Sequence, residues 1–310
     1  MNITAGMVKE LRELTGAGMM DCKKALNTVE GDMDKAVEFL REKGLAAAEK
    51  KAGRIAAEGM VDTFITEDGK VAAIVEVNSE TDFVAKNDKF VDYVGSVVKQ
   101  VANSNAVDLD AFLEEPWALD TALTVKEQLS SMISIIGENM NIRRFEKLVS
   151  TDGFVESYIH GGGRIGILVE IASTVNNDAT KEAAKNIAMQ IAAMSPKYIS
   201  EADVPAEFIA HEKEIIKAQI KNDESNAKKP ENIIEKMLEG RFKKELKEIC
   251  LLDQVYVKDG DLSVAQYLAN VSKEVGADVS VKNFIRFETG EGLEKKSEDF
   301  ADEVAKQMGN

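Results

Sequence analysis

A chain that carries the same pattern twice must fold into something that can be built twice. GMVDTFITEDGKVAAIVEV (Gly59–Val77) lies over GFVESYIHGGGRIGILVEI (Gly153–Ile171) without a gap, Gly59 falling on Gly153 at a shift of 94. In both stretches apolar residues alternate and a Gly-containing turn splits them, the pattern of a β-hairpin. Each is followed by a helical pattern, KFVDYVGSVVKQVA (Lys89–Ala102) and KEAAKNIAMQIAAM (Lys181–Met194), and these align at a shift of 90, Val94 on Ala184. Each copy closes on a further strand: NMNIRRFEKL (Asn139–Leu148) matches DVSVKNFIRFE (Asp278–Glu288), with Phe145 over Phe284. Strand, strand, helices, strand is an α+β unit with a small antiparallel sheet. Two such subdomains are expected, one over 55–148 and one over 149–290.

The places where the copies disagree carry more information than those where they agree. The change of shift from 94 to 90 leaves four extra residues in the first copy, in the stretch Thr81-Asp82-Phe83-Val84. The second copy does without them, so folding alone is a poor reason for their presence. An apolar ring on a loop is more often a recognition element; the competing expectation is that Phe83 folds back onto the helix beginning near Lys89. In the second copy the stretch between helix and last strand is longer, with Ala102 to Gly137 spanning 35 positions and Ala192 to Gly276 spanning 84. That surplus holds Pro205–Asp223 and Pro230–Cys250, two charged helical patterns joined by NDESNAKK. Phe208, Ile215 and Ile216 stripe the first; Ile234, Met237, Leu238 and Phe242 stripe the second. Together they predict an antiparallel helical hairpin over about 205–250, an arm suited to a partner or to a second copy of the chain.

Residues 1–44 read as three short helices, a module too small to be stable by its core alone and typical of docking. Thr4 caps the first, striped by Val8, Leu11 and Leu14. The second runs from Met19 to about Val29 with Cys22, Ala25, Leu26 and Val29 inward. Asp32 caps the third, with Ala36, Val37 and Leu40 inward and Gly44 as its stop. One of Met19 and Met20 is expected in the core and the other as an adaptable exposed contact. Residues 45–54 read as a partly helical linker, and 291–310 as a C-terminal helical module with a helix over Ser297–Met308.

The net charge of −16 and pI of about 4.8 argue against direct nucleic-acid binding, whose affinity comes largely from Lys and Arg on phosphates. No run approaches the ~20 apolar residues of a membrane span, and the start resembles neither a signal nor a transit peptide. Cys22 and Cys250, without CxxC or nearby His, read as buried thiols in a reducing cytoplasm. His160-Gly161-Gly162-Gly163 resembles an oxyanion-hole motif, but no G-x-S-x-G accompanies it. Gly161-x-Gly163-x-x-Gly166 satisfies a dinucleotide fingerprint, yet a strand follows where that fingerprint needs a helix N-terminus. Neither His160 nor His211 has metal-ligand spacing. An enzyme, a cofactor and a metal site are not expected.

Two long motifs carry a family resemblance. LRELTGAGMMDCKKAL (Leu11–Leu26) and EVNSETDFVAK (Glu76–Lys86) resemble the signatures of bacterial elongation factor Ts. IGENMNIRR (Ile136–Arg144) and FIRFE (Phe284–Glu288) are similar to further family segments, so the likeness runs nearly end to end. It is weakest around 103–131 and in the arm. The resemblance implies guanine-nucleotide exchange on elongation factor Tu, with a ubiquitin-associated-like N-terminal module docking on the GTPase domain. It also implies that Thr81-Asp82-Phe83-Val84 enters between GTPase helices and disturbs the Mg²⁺ site. His160, the Ile136-Gly137 turn and the tail helix are implied as further contacts, and Met19 and Met20 belong to the same candidate set. The rival reading is a homodimeric scaffold assembled through the arm, without exchange activity.

Overall fold

The computed structural model describes residues 3–226 and 229–294, so the expected tail helix lies outside the described residues. The chain opens with α1 (Ala5–Thr15), α2 (Met19–Thr28) and α3 (Met33–Lys51). Thr4 and Asp32 cap α1 and α3 through their side chains. Val8, Leu11, Cys22, Ala25, Leu26 and Ala36 close a small core between the three helices.

The first repeat contains β1 (Glu58–Ile65), β2 (Val71–Ser79), α4 (Asp82–Ala85), α5 (Asp88–Asn103) and α6 (Leu109–Leu113), followed by β3 (Pro116–Trp117), β4 (Asp120–Thr124), α7 (Val125–Ile136) and β5 (Met140–Val149). The second contains β6 (Gly153–His160), β7 (Ile165–Ala172), α8 (Asp178–Met194), α9 (Ala206–Asn222), α10 (Glu231–Ile249), β8 (Val255–Tyr256), β9 (Asp259–Ser263), α11 (Val264–Val275) and β10 (Ser280–Glu288). The fold is α+β. Two antiparallel three-stranded sheets, ordered β1-β2-β5 and β6-β7-β10, have the hairpin's second strand at their centre. Phe145 pairs with Val75 and Phe284 with Val169, the same register in both copies.

Both faces of β2 and β7 are buried, as a central strand between two layers requires. On β2, Ala73, Val75 and Val77 face α5, while Ala72 and Ile74 face the opposite sheet. Val61, Leu148, Val155, Leu168 and Phe287 complete that inter-sheet layer. The architecture is therefore helix, sheet, sheet, helix. Contact between the sheets is close at Gly166, where a Cβ would lie 2.4 Å from Val61 Cγ1. The Val61 N–H donates to Gly163 O at 2.7 Å, and the Val155 N–H to Gly69 O at 2.9 Å.

The region around 103–131 is part of the repeat. At a shift of 139, Asp120 on Asp259, the small hairpin β3–β4 matches β8–β9 and α7 matches α11. Capping boxes open both helices, Thr124 with Glu127 and Ser263 with Gln266. A buried glutamine pins each hairpin. Gln100 donates to Pro116 O and accepts from the Ala118 N–H; Gln190 donates to Val255 O and accepts from the Val257 N–H.

Several sequence expectations are corrected. Gly44 does not stop α3. It is buried within that helix, where its Cα faces Ser130 and Ser134 of α7, and residues 45–51 of the expected linker are helical. It lies in the helix interior and supplies no left-handed cap; a Cβ there would stand 3.8 Å from Ser130 O and Ser134 Cβ, an ordinary contact. Leu14 is exposed and turns toward a cleft against α7 instead of the bundle core. Met19 and Met20 are both exposed, because α2 begins at Met19 and side chains of a first turn point back past the helix end. In the arm, Ile216 and Ile220 rather than Ile215 face α10, the i, i+4 spacing being set by Phe242, Leu238 and Ile234 opposite. Lys213–Glu239 and Lys221–Glu231 pairs show α9 and α10 to be antiparallel. No helix of the described residues is long and apolar enough to cross a membrane.

Candidate functional site

The extra residues of the first copy form a short helical turn that packs on β1 and β2 through one side chain and presents Asp82 and Phe83 to solvent. Asn87 caps α5 and Asn177 caps α8, at aligned positions, so the insertion lies between the end of β2 and that cap. Four residues cannot sustain a helix alone; α4 is held by its neighbours. Val84 is its apolar anchor, buried in the core that contains Met60, Val77 and Phe90. Phe83, one position earlier, points the other way and is 80% exposed. The expectation that it stands free of the α5 helix is met, and the alternative that it folds back is not. Asp82 is exposed and accepts from Lys86 Nζ at 2.8 Å, a bond that holds its carboxyl below the usual range.

The loop is fastened at its base by the turn that follows α7. Glu138 accepts from both the Thr81 N–H (3.0 Å) and the Thr81 hydroxyl (2.8 Å). In the reverse direction, Glu80 accepts from the Asn139 N–H at 2.6 Å and pairs with Arg54. The structure therefore brings Ile136 and Gly137 together with Thr81–Val84. Gly137 ends α7 with φ 91°, returning its N–H to Ile133 O. Ile136 is half-buried and Gly137 exposed.

His160 is exposed at the tip of the β6–β7 hairpin, its Nδ1 2.9 Å from the Tyr158 hydroxyl. The three glycines after it have positive φ and make the turn, while Gly163 sits against Met60 and Val61 of β1. Since Met60 shares a core with Val84, the hairpin tip and the loop both flank the same part of β1. Met19 and Met20 lie elsewhere, on the outer face of the N-terminal bundle, where Met20 borders a shallow depression with Lys23, Lys24 and Asn27. The bundle meets the first repeat along α3 and α7 beside a cleft of about 350 Å³, and the Arg41–Glu127 ion pair closes one part of it.

Sequence reasoning missed Glu80 and Glu138 as a clasp, and it missed Glu76. Glu76 is fully buried. It accepts from Arg143, Arg144, Asn78 and the Gly290 N–H, joining the first repeat to the end of the second. A signal existed: Glu76 and Glu170 occupy the same position in the two copies, and Glu170 is also buried, beside Lys282.

Little of this arrangement suits covalent chemistry. Both cysteines are buried, and burial pushes the Cys250 thiol up to about 11, which suppresses its thiolate. Among the described residues no group of three or more His, Cys, Asp or Glu is placed to hold a metal ion.

What the arrangement resembles is decided by comparison with known proteins. A family model described as "Elongation factor TS" matches residues 80–291. Elongation factor Ts of Clostridium novyi (strain NT) is 55% identical over 306 residues, covering 99% of each chain. Those of Clostridium kluyveri (strain NBRC 12016) and Clostridium perfringens (strain 13 / Type A) are each 56% identical, over 306 and 307 residues, again covering 99% of each chain. The chain belongs to the elongation factor Ts family. Membership makes it an elongation factor of protein biosynthesis. Within this elongation factor Ts fold, the family match begins at Glu80, the first residue of the clasped loop, and ends at Glu291, beside Arg144.

Proposed function

We propose that the chain is a guanine-nucleotide exchange factor for elongation factor Tu, acting in the cytoplasm and performing no covalent step of its own. The observation that carries this reading is Phe83: a large apolar ring held in solvent on an inserted, well-fastened turn. Exposure of an aromatic at such a point has no benefit for the isolated fold. In this reading Thr81, Asp82, Phe83 and Val84 enter the GTPase domain and displace the Mg²⁺ that holds phosphate charge there, which weakens the nucleotide without chemistry. Factor and nucleotide then expel one another reciprocally, as linkage requires. His160 and the Ile136-Gly137 turn supply neighbouring contacts, and the bundle over 1–44 docks through the face that carries Met19 and Met20. The arm is the surface through which two copies of the chain would meet.

Burying a Phe is worth about 1.5–3 kcal/mol, and a factor of ten is 1.4 kcal/mol. Phe83→Ala is therefore expected to slow release of fluorescent GDP from elongation factor Tu by roughly 10–100-fold, with thermal stability unchanged because the ring is exposed. Equal release by wild type and by Asp82→Ala/Phe83→Ala would remove the loop from the mechanism and favour a scaffold without exchange activity.

A further inference from the structure

We infer that Glu138 is a positioning residue for the loop: it sets the presentation of Phe83 through Thr81, and it touches neither nucleotide nor metal. Thr81 stands at the N-cap of α4, where a threonine hydroxyl normally accepts from an N–H of the helix it opens. Here it makes no such bond. Its hydroxyl is spent on Glu138 Oε1 and its own N–H on Glu138 Oε2. One carboxylate thus takes both polar groups of one residue, fixing the direction in which the chain leaves β2. Ser79 adds a bond from its hydroxyl to Thr81 O, so each polar group of Thr81 has a partner.

The grip is reciprocal. Glu80, next to Thr81, accepts from the N–H of Asn139, next to Glu138. Two acidic residues, Glu80 and Glu138, thus each hold the other's segment through bonds that span 59 and 57 positions. The Asn139 side chain continues the chain of contacts by donating to Arg54 O. The consequence is that the loop and the Ile136-Gly137 turn move as one body. Phe83 cannot hold itself, being 80% exposed, and Val84 is the turn's single buried apolar anchor. A ring that must arrive at a partner in one orientation gains from order established beforehand, which removes the ordering cost from the binding step.

The proposal rests on the exchange reading above, and its test separates the two. Amide hydrogen exchange of the free protein needs no partner. Glu138→Ala is expected to raise exchange of the Thr81 amide by at least tenfold. Glu138→Gln is expected to restore most of the protection, because the amide oxygen accepts from the Thr81 N–H and the amide nitrogen donates to its hydroxyl. In GDP release from elongation factor Tu, Glu138→Ala should slow the step about tenfold and Glu138→Gln should recover it. In the free protein, Thr81→Val combined with Glu138→Ala should exchange the residue-81 amide no faster than Glu138→Ala alone, the non-additivity of a shared contact. Unchanged Thr81 protection in Glu138→Ala overturns the positioning role outright. Lost protection with normal release, while Phe83→Ala is slow, also overturns it and leaves the exchange reading standing. Normal release in Phe83→Ala removes both. A fall in thermal midpoint for Glu138→Ala that Glu138→Gln also shows would mark Glu138 as merely structural and overturn the assignment.

Discussion

At Glu76 a negative charge is buried beside the largely apolar layer between the two sheets. Burial pushes its carboxyl upward, but bonds from the Gly290 N–H, Asn78, Arg143 and Arg144 outweigh that and leave it below the usual range. Removing one partner of a buried ion pair costs about 3–5 kcal/mol, because the remaining charge is left uncompensated. Glu76→Ala should lower stability by that order, measured as a shift of denaturant midpoint with an unchanged slope. The pH dependence follows from the sign: a depressed folded value contributes stability above the ordinary carboxylate range, and that contribution is lost as pH falls through the lowered value. Wild type should therefore lose more stability between about pH 7 and pH 3.5 than Glu76→Gln. At this scale the sequence is readable where a residue breaks the repeat and opaque where it obeys it. Phe83 stood out because no counterpart exists in the second copy. Glu138 did not, because its bond to Thr81 crosses 57 positions and an acidic residue after a helix-ending glycine looks like ordinary surface.

Among the elements, the hairpins β3–β4 and β8–β9 are too short to persist without support. Gln100 and Gln190 supply it from α5 and α8 by bonding main-chain groups on the facing hairpin. Replacing either by Leu leaves a donor and an acceptor of the backbone without partners, at about 1–3 kcal/mol each. Gln100→Leu and Gln190→Leu should both destabilise in urea, Gln190→Leu by more because it also removes the donor to the buried Gln254 Oε1, and no loss from either would show that the glutamines do not hold the hairpins. The periodicities of β1, α5, β6 and α8 were legible because alternation and 3.6-residue spacing are local, while β2 and β7 registered as near-continuous apolar runs after a turn. The second hairpin of each repeat was not, since strands of two to five residues contain too few alternations to register. Gly44 was misread for a related reason: a glycine that ends a helix and one buried within a helix look the same until the neighbouring element is known.

For the molecule as a whole, the arm is an addition to a frame that closes without it. The chain enters and leaves it side by side, with Tyr198 bridged to Cys250 and the Leu251 N–H donating to Tyr198 O. Its apolar contacts are largely internal, between α9 and α10. Replacing 201–248 by a short Gly/Ser turn should reduce helical signal while the rest unfolds at an unaltered thermal midpoint. Loss of cooperative unfolding would instead make the arm integral to the second repeat. The duplication and its two interruptions were legible in the sequence from alignment alone. That the sheets face each other was not, because the alternation on β2 and β7 is masked by burial on both sides.

The bond from the Gly290 N–H to Glu76 spans 214 positions, and Arg144 reaches Glu288 and Glu291 nearby. A ribosome adding about 5–20 residues per second needs roughly ten to forty seconds to cover that distance. Throughout that interval the nascent first repeat carries a sequestered carboxylate lacking one of its donors. Its tightening must wait until Gly290 has emerged, so added protease should cut the early half of a chain stalled before that residue faster than it cuts the same half of the full chain.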